Sequence, residues 1–270
     1  MKKRWTNGDA VRSAKTNPVH TWETVWMLAK TDLKMRYQGS WLGIIWVFLK
    51  PFCLFLILNF VFSHLFFRSV PNYSIRLLLG IILWSFFAET SMVGMQSLLA
   101  KGHILRKAYL PNWIVVVSST IHSAMAFTFN LIIFFLFLFF YYRIFPGVAE
   151  LLIFGVYILL IYGISLLFSF LTSTILVRFR DLNQIWEVLL QVLFYASPII
   201  YPLTAVPDHI RSVLYLNPIT LLIEHSRIAL IDNSIARVDH LFIFIAIFLP
   251  LMLGSIWFFN RTSVNVVEKI

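Results

Sequence analysis

Between Lys107 and Arg143 the chain carries no Lys, Arg, Asp or Glu, and its run FNLIIFFLFLFFYY at 129–142 is apolar on every side. A helix apolar all round has no face to give to water, so it is buried or it lies in lipid. Roughly 20 apolar residues suffice to cross a hydrocarbon core of about 30 Å. The stretch 113–141 exceeds that length, and similar runs occupy 41–67, 74–99, 151–177, 185–201 and 240–260. The sequence therefore predicts an all-α integral membrane protein with six transmembrane helices. Only 13% of its residues are charged, about half the share in a soluble domain.

Charge then sets the topology. Fifteen of the 22 Lys and Arg fall in 1–40, 100–112, 178–184 and 261–270. Lys and Arg hold loops in the cytoplasm, so these segments, with both termini, are expected inside. The net charge of +10 is accounted for this way and does not point to nucleic acid. Three regions follow: 1–40, a cytoplasmic tail and an interfacial helix; 41–260, the six-span domain; and 261–270, a cytoplasmic tail. The first 19 residues are polar and basic, without the apolar core of a signal peptide. The lone cysteine, Cys53, can form no intrachain disulfide and reads as a packing residue.

Two stretches depart from plain spans. In 20–38, Trp22, Val25, Trp26, Ala29, Leu33 and Tyr37 share one helical face, and Glu23, Lys30 and Lys34 share the other. Such a helix lies in the membrane interface. There Lys30, Lys34 and Arg36 would meet lipid headgroups and offer charge-assisted donors to phosphate. In 178–231, Pro198, Pro202 and Pro207 break the apolar run, and two short helices are expected from Pro207 to Leu216 and from Pro218 to Ile231. Each opens on proline, which suits a first helical turn, and Asn217 can cap the second. At about 15 and 21 Å they are too short to cross the membrane. They read as an external re-entrant pair within 204–238, or as an amphipathic surface loop.

Lys50 and Glu89 lie deepest among the ionisable residues of the predicted spans. Facing lipid unpaired, each would cost several kcal/mol, so they should face the protein interior, a wet cavity or each other. The aromatic residues Trp84, Phe87, Tyr195 and Tyr201 are candidates to line such a path, where they could stack on sugar rings, although an interfacial belt also uses aromatics. The segment 94–112, expected in the cytoplasm, carries Lys101, His103, Leu105, Arg106 and Lys107. It is either a docking element for a soluble partner or a basic loop that fixes topology. No phosphate-binding loop G-x-x-x-x-G-K-[ST], no H-E-x-x-H or paired-cysteine metal motif and no G-x-S-x-G elbow occurs in the sequence.

The run LAKTDLKMRYQGSWLGIIWVFLKPF at 28–52 resembles the opening of ABC-2 type permeases that export polysaccharide, with Arg36, Tyr37, Ser40, Leu42, Gly43, Trp46 and Pro51 at the pattern positions. RDLNQIWEVLLQVLFYASPIIYP at 180–202 is similar to that family's fifth span, and LNPITLLIEHSRIAL at 216–230 to its external re-entrant helices. Lys50 departs from the pattern, which has an apolar or small polar residue before the proline. The resemblance implies a type V exporter fold and a homodimer served by two copies of a separate ABC ATPase. ATP and Mg would be held on that partner, with no cofactor and no catalytic residue on this chain. It implies export of lipid-linked glycan, of O-antigen or teichoic acid type on undecaprenyl pyrophosphate, across the bacterial inner membrane. It further implies that spans 1 and 5 line the path, that 100–110 docks on the ATPase, and that 207–231, with Pro207, Pro218, Glu224 and Arg227, forms an external gate. An exporter of drugs or small lipids would share these elements. A membrane enzyme of lipid-linked sugars would need acids gathered at one face, whereas Asp181, Glu187, Asp208 and Glu224 are divided between the two.

Overall fold

A computed structural model describes residues 18–37, 41, 43, 45–67, 70–107, 110–236 and 239–263. Among them no strand occurs. Ten α-helices follow in order: α1 (Pro18–Tyr37), α2 (Ile45–Leu65), α3 (Tyr73–Ala100), α4 (Gly102–Lys107), α5 (Asn112–Phe140), α6 (Val148–Arg178), α7 (Leu182–Ala196), α8 (Asp208–Leu214), α9 (Pro218–Leu230) and α10 (Asp239–Ser263). A single 3₁₀ turn, Leu203–Ala205, precedes α8.

The bundle is built around α3, which packs on α6, α5, α2, α9 and α7. Its sequence explains why. Thr90, Ser91, Gly94 and Ser97 give it a small-residue face on its C-terminal half, and Ser165, Ser169 and Ser173 repeat at four-residue spacing on α6, all buried. Small side chains let membrane helices approach closely, and lost side-chain bulk is returned as backbone contact. The approach is tight: a Cβ on Gly94 would overlap Ser169 and lie 3.0 Å from Thr120 of α5. Two of these serine hydroxyls bond within their own helix, Ser165 to Ile161 O at 2.9 Å and Ser169 to Ser165 O at 2.7 Å. The N-terminal half of α3 packs large apolar groups instead, with Phe86 stacked on Phe127 at 4.1 Å.

Five helices of the described residues are long and apolar enough to span a membrane: Ile45–Ser63, Tyr73–Ala100, Asn112–Phe140, Val148–Arg178 and Leu241–Ser263. The predicted span 185–201 takes another form. Ser197-Pro198 ends α7 after 15 residues, a length of about 22 Å, short of the ~30 Å hydrocarbon core. The chain then continues as non-helical but buried backbone, Ser197 to Ile200. Of the two short helices that follow, α8 has no buried residue, whereas α9 is buried along nearly its whole length against α6 and α3. A surface loop does not describe α9. Asn217 caps it, its Oδ1 accepting from Ile219 N at 3.0 Å, with Pro218 in the first turn.

The faces of α1 also differ from expectation. Thr21, Val25 and Ala29 are buried against α5, while Trp22 and Trp26 are exposed. The small residues, not the tryptophans, form the packing stripe. Cys53 is exposed on α2 rather than packed.

Candidate functional site

A cavity of about 680 Å³ opens between α2, α3, α5 and α7. Its wall mixes aromatic rings (Trp46, Trp84, Phe86, Phe127, Phe194, Tyr195) with the polar groups Arg36, Lys50, Glu89, Gln96, Asn130 and Gln191. Of the residues singled out as channel lining, Lys50, Trp84, Glu89 and Tyr195 are brought together here. Phe87 is not: it is buried beside Phe168, ring edge to face at 6.1 Å. Tyr201 faces a different cavity.

At one end of the site α1 delivers Arg36. Its guanidinium is ion-paired with Glu89 of α3 and lies 3.1 Å from Nε2 of His122 on α5. Nδ1 of the same ring is 3.1 Å from Ser119 O. A carbonyl can only accept, so Nδ1 carries the proton, and Nε2 is left with a lone pair for Arg36. The arrangement ties three helices together through one guanidinium. Glu89 is thus neutralised by Arg36 and not by Lys50. Lys30 and Lys34 lie exposed on α1 and do not line the cavity; Lys30 sits over the Trp26 ring at 5.2 Å.

Further along, Pro51 interrupts α2. Proline has no N–H, so the carbonyl four residues back, Val47 O, loses its helical donor. Asn130 of α5 supplies a partial substitute: its Nδ2 reaches Val47 O at 3.5 Å and Ala126 O at 3.3 Å. His122 and Asn130 therefore earn their places through interhelical contacts, a role open to polar residues in any span.

On the α7 side, Trp186 Nε1 donates to Ser91 Oγ at 3.2 Å, and Gln96 Nε2 to Asn183 Oδ1 at 2.6 Å. These bonds hold α7 on α3 with only Trp186 and Leu190 buried. Ile185, Val188, Leu189 and Val192 of the same helix are exposed. The uncovered side of α2 is larger still: among its described large side chains only Phe55 and Val47 are buried.

Near the residues proposed as a gate, a second cavity of about 440 Å³ is lined by Tyr73, Arg76, Tyr201, Glu224, Arg227 and Asp232 among others. Arg227 is buried. It ion-pairs with Glu224 and donates to Pro198 O at 2.6 Å, Ile199 O at 2.9 Å and Arg76 O at 3.1 Å. One side chain thereby holds α9, the segment after α7 and the start of α3. The close fit continues at Gly80, where a Cβ would stand 2.6 Å from Arg227 Nη2. Pro207 and Pro218 serve locally, as the cap of α8 and in the first turn of α9.

The predicted docking segment is divided. Lys101 is buried, ion-paired with Asp32 of α1 and 3.1 Å from Ser118 Oγ of α5. Burial pushes its pKa below the ordinary 10.5, and the bond and charge of Asp32 oppose that shift. A lysine so held is not presented to a partner. Leu105 is buried in a small cluster with Leu98, Val115, Val116, Phe170 and Phe259. His103 is exposed. The side chains of Arg106 and Lys107 lie outside the described residues. Asp32 was not singled out from sequence, yet it follows Val25 and Ala29 at helical spacing, a signal that places it on the same face.

Comparison with known proteins gives a consistent answer. O-antigen export system permease protein RfbA of Klebsiella pneumoniae is 25% identical over 258 residues, covering 94% of this chain and 97% of that protein. The RfbA of Myxococcus xanthus is 26% identical over 245 residues, 90% and 94% of the two chains. Polysialic acid transport protein KpsM of Escherichia coli is 24% identical over 219 residues, 79% and 83%. The ABC-2 type transporter family matches residues 23–231. That match takes in most of α1, the cavity and α9, and it establishes that the chain belongs to the ABC-2 type transporter family.

Proposed function

We propose that this chain is the permease subunit of an ATP-driven exporter that moves lipid-linked polysaccharide across the bacterial inner membrane. The observation that carries the reading is the lining of the cavity. A sugar chain needs aromatic faces to stack on and amides or hydroxyls to bond, weakly enough to slide, and α2, α3, α5 and α7 supply both kinds of group. The names of the relatives, which speak of O-antigen export and polysialic acid transport, support the same substrate class. A drug or small-lipid exporter would be better served by an apolar cleft.

The functional unit in this proposal holds two copies. The faces of α2 and α7 beside the cavity are exposed, and with nothing covering them Lys50 would meet hydrocarbon at a cost of several kcal/mol. A second copy that covers the uncovered faces of α2 and α7 removes that cost. Two copies of an ABC ATPase, holding ATP and Mg, complete the unit, and α4 with its exposed His103, together with Arg106 and Lys107, is the proposed contact. In this reading both termini lie in the cytoplasm, which the distribution of Lys and Arg supports. The six-span topology counts α7 together with the non-helical segment 197–201 as the fifth crossing, with α8 and α9 as the external re-entrant pair. Lys30, Lys34 and Arg36 would attract the pyrophosphate of the lipid carrier.

The test is co-expression with the cognate ATPase, purification and measurement of ATP hydrolysis with and without lipid-linked glycan. A stable complex of two permease and two ATPase chains, with hydrolysis that responds to glycan, is the expected result. A chain that purifies without an ATPase refutes the assignment.

A further inference from the structure

We propose that Lys50 selects anionic cargo: that the cavity takes a glycan bearing carboxylate or phosphate oxygens in preference to a neutral one. The inference rests on the exporter reading and narrows its substrate class. Its basis is the charge balance inside the cavity. Arg36 and Glu89 cancel in their ion pair. Lys50 is exposed on the same wall and makes no ion pair with any carboxylate among the described residues. The cavity of each copy is left with one uncompensated ammonium.

The position of that ammonium matters. Asn130 contacts Val47 O, so Val47 lies level with a residue two turns, or about 12 Å, beyond His122 along α5. Lys50 is nearly one turn further along α2. Cargo entering from the Arg36 end therefore passes the neutralised pair before it meets Lys50, beside Trp84 and Tyr195. A cation in a partly desolvated site favours a mobile anion by charge-assisted bonds, whereas it offers a neutral sugar only the loss of its own water. An ammonium is a rotating point charge with three donors, suited to successive acidic groups in a sliding chain. Two anion sources share this chemistry: acidic groups borne on the sugars, and the pyrophosphate joining glycan to lipid.

The experiment uses the permease–ATPase complex in lipid nanodiscs and measures equilibrium binding of labelled tetragalacturonate, labelled maltotetraose and inorganic pyrophosphate, together with ATP hydrolysis. The wild type is expected to bind an anionic probe about tenfold more tightly than maltotetraose, with a preference that falls as salt rises. Lys50→Gln should abolish the preference by bringing the affinity for the anionic probe down to that for maltotetraose. Lys50→Arg should retain it, and Lys50→Glu should reverse it. Preference for tetragalacturonate assigns the anion to the sugars; preference for pyrophosphate alone assigns it to the linker. If maltotetraose binds and stimulates hydrolysis while no anion is preferred, or if Lys50→Gln leaves the preference intact, the inference on Lys50 is overturned and the exporter reading stands. If no glycan binds and hydrolysis responds to none, both fail together.

Discussion

Arg36 in the last turn of α1 is ion-paired with Glu89 in α3, 53 residues along the chain. The bond joins an otherwise peripheral helix to the central one at the mouth of the cavity. Each side chain is about one third exposed, so water screens the pair, and a coupling of ~1 kcal/mol is expected. A double-mutant cycle on thermal unfolding, with Arg36→Gln and Glu89→Gln, measures it. Arg36→Glu should destabilise more than Arg36→Gln, because it sets two carboxylates together, and adding Glu89→Arg should recover most of that loss. Additive effects of the two substitutions would show that the pair has no energetic role.

Lys101 and Asp32 form the second tie of α1 to the bundle, and this one is mostly buried. Asp32→Asn leaves an ammonium buried without its counter-charge and should cost ~3 kcal/mol, whereas Asp32→Asn with Lys101→Met should recover most of the loss. The pair also gives a pH signature. Burial holds the pKa of Lys101 below 10.5 in the fold. Between that lowered value and 10.5 the unfolded chain binds more protons, so this group's contribution to stability rises with pH. The melting temperature of the wild type, minus that of Lys101→Met, should climb from neutral pH towards about pH 10.5. A flat or falling difference would contradict the assignment.

Gly94 should accept no side chain. A Cβ there overlaps Ser169 on α6, and α3 and α6 are held by small residues on both sides along this contact. Gly94→Ala is expected to cost about 1–3 kcal/mol by overpacking. Ser169→Gly in the same chain should return part of it, because the clash is with that side chain. Thermal stability of the single and double variants in detergent decides the matter.

Arg227 is expected to be the least replaceable side chain near the second cavity. Arg227→Ala removes donors from three carbonyls and leaves Glu224 buried without its partner, a loss of ~3–5 kcal/mol. Lys keeps the charge and loses the planar fork, so Arg227→Lys should fall between the two. The first readout is protease sensitivity of the 198–207 segment, which should rise in the order wild type, Lys, Ala.

The long apolar blocks were legible because span length is set by the bilayer: 113–141 and 151–177 were expected, and α5 and α6 run Asn112–Phe140 and Val148–Arg178. What periodicity could not reveal is which helix lies at the centre. The C-terminal half of α3 carries serine, threonine and glycine, which are only weakly apolar, yet those residues let it pack most closely. The end of the predicted fifth span was hidden for a related reason. Residues 197–200 are apolar enough for a membrane, but Pro198 stops the helix, and the freed carbonyls are met by Arg227, 28 and 29 residues away. In the site, depth alone marked Glu89 as needing a partner. The choice between Lys50 and Arg36 depended on where α1 folds back, and no local pattern encodes that.

Pro51 has one more implication. The helix that contains it contributes little to the core, and its broken backbone bond is replaced only by the long contact from Asn130. By contrast, α3, α6 and α9 interlock through buried side chains and the four-way grip of Arg227. Within one copy, bending α2 at Pro51 therefore sacrifices few side-chain contacts, whereas displacing α9 would unpick the bundle. Any distortion of the cavity is taken up first at its α2 wall, while the α3 wall keeps its shape.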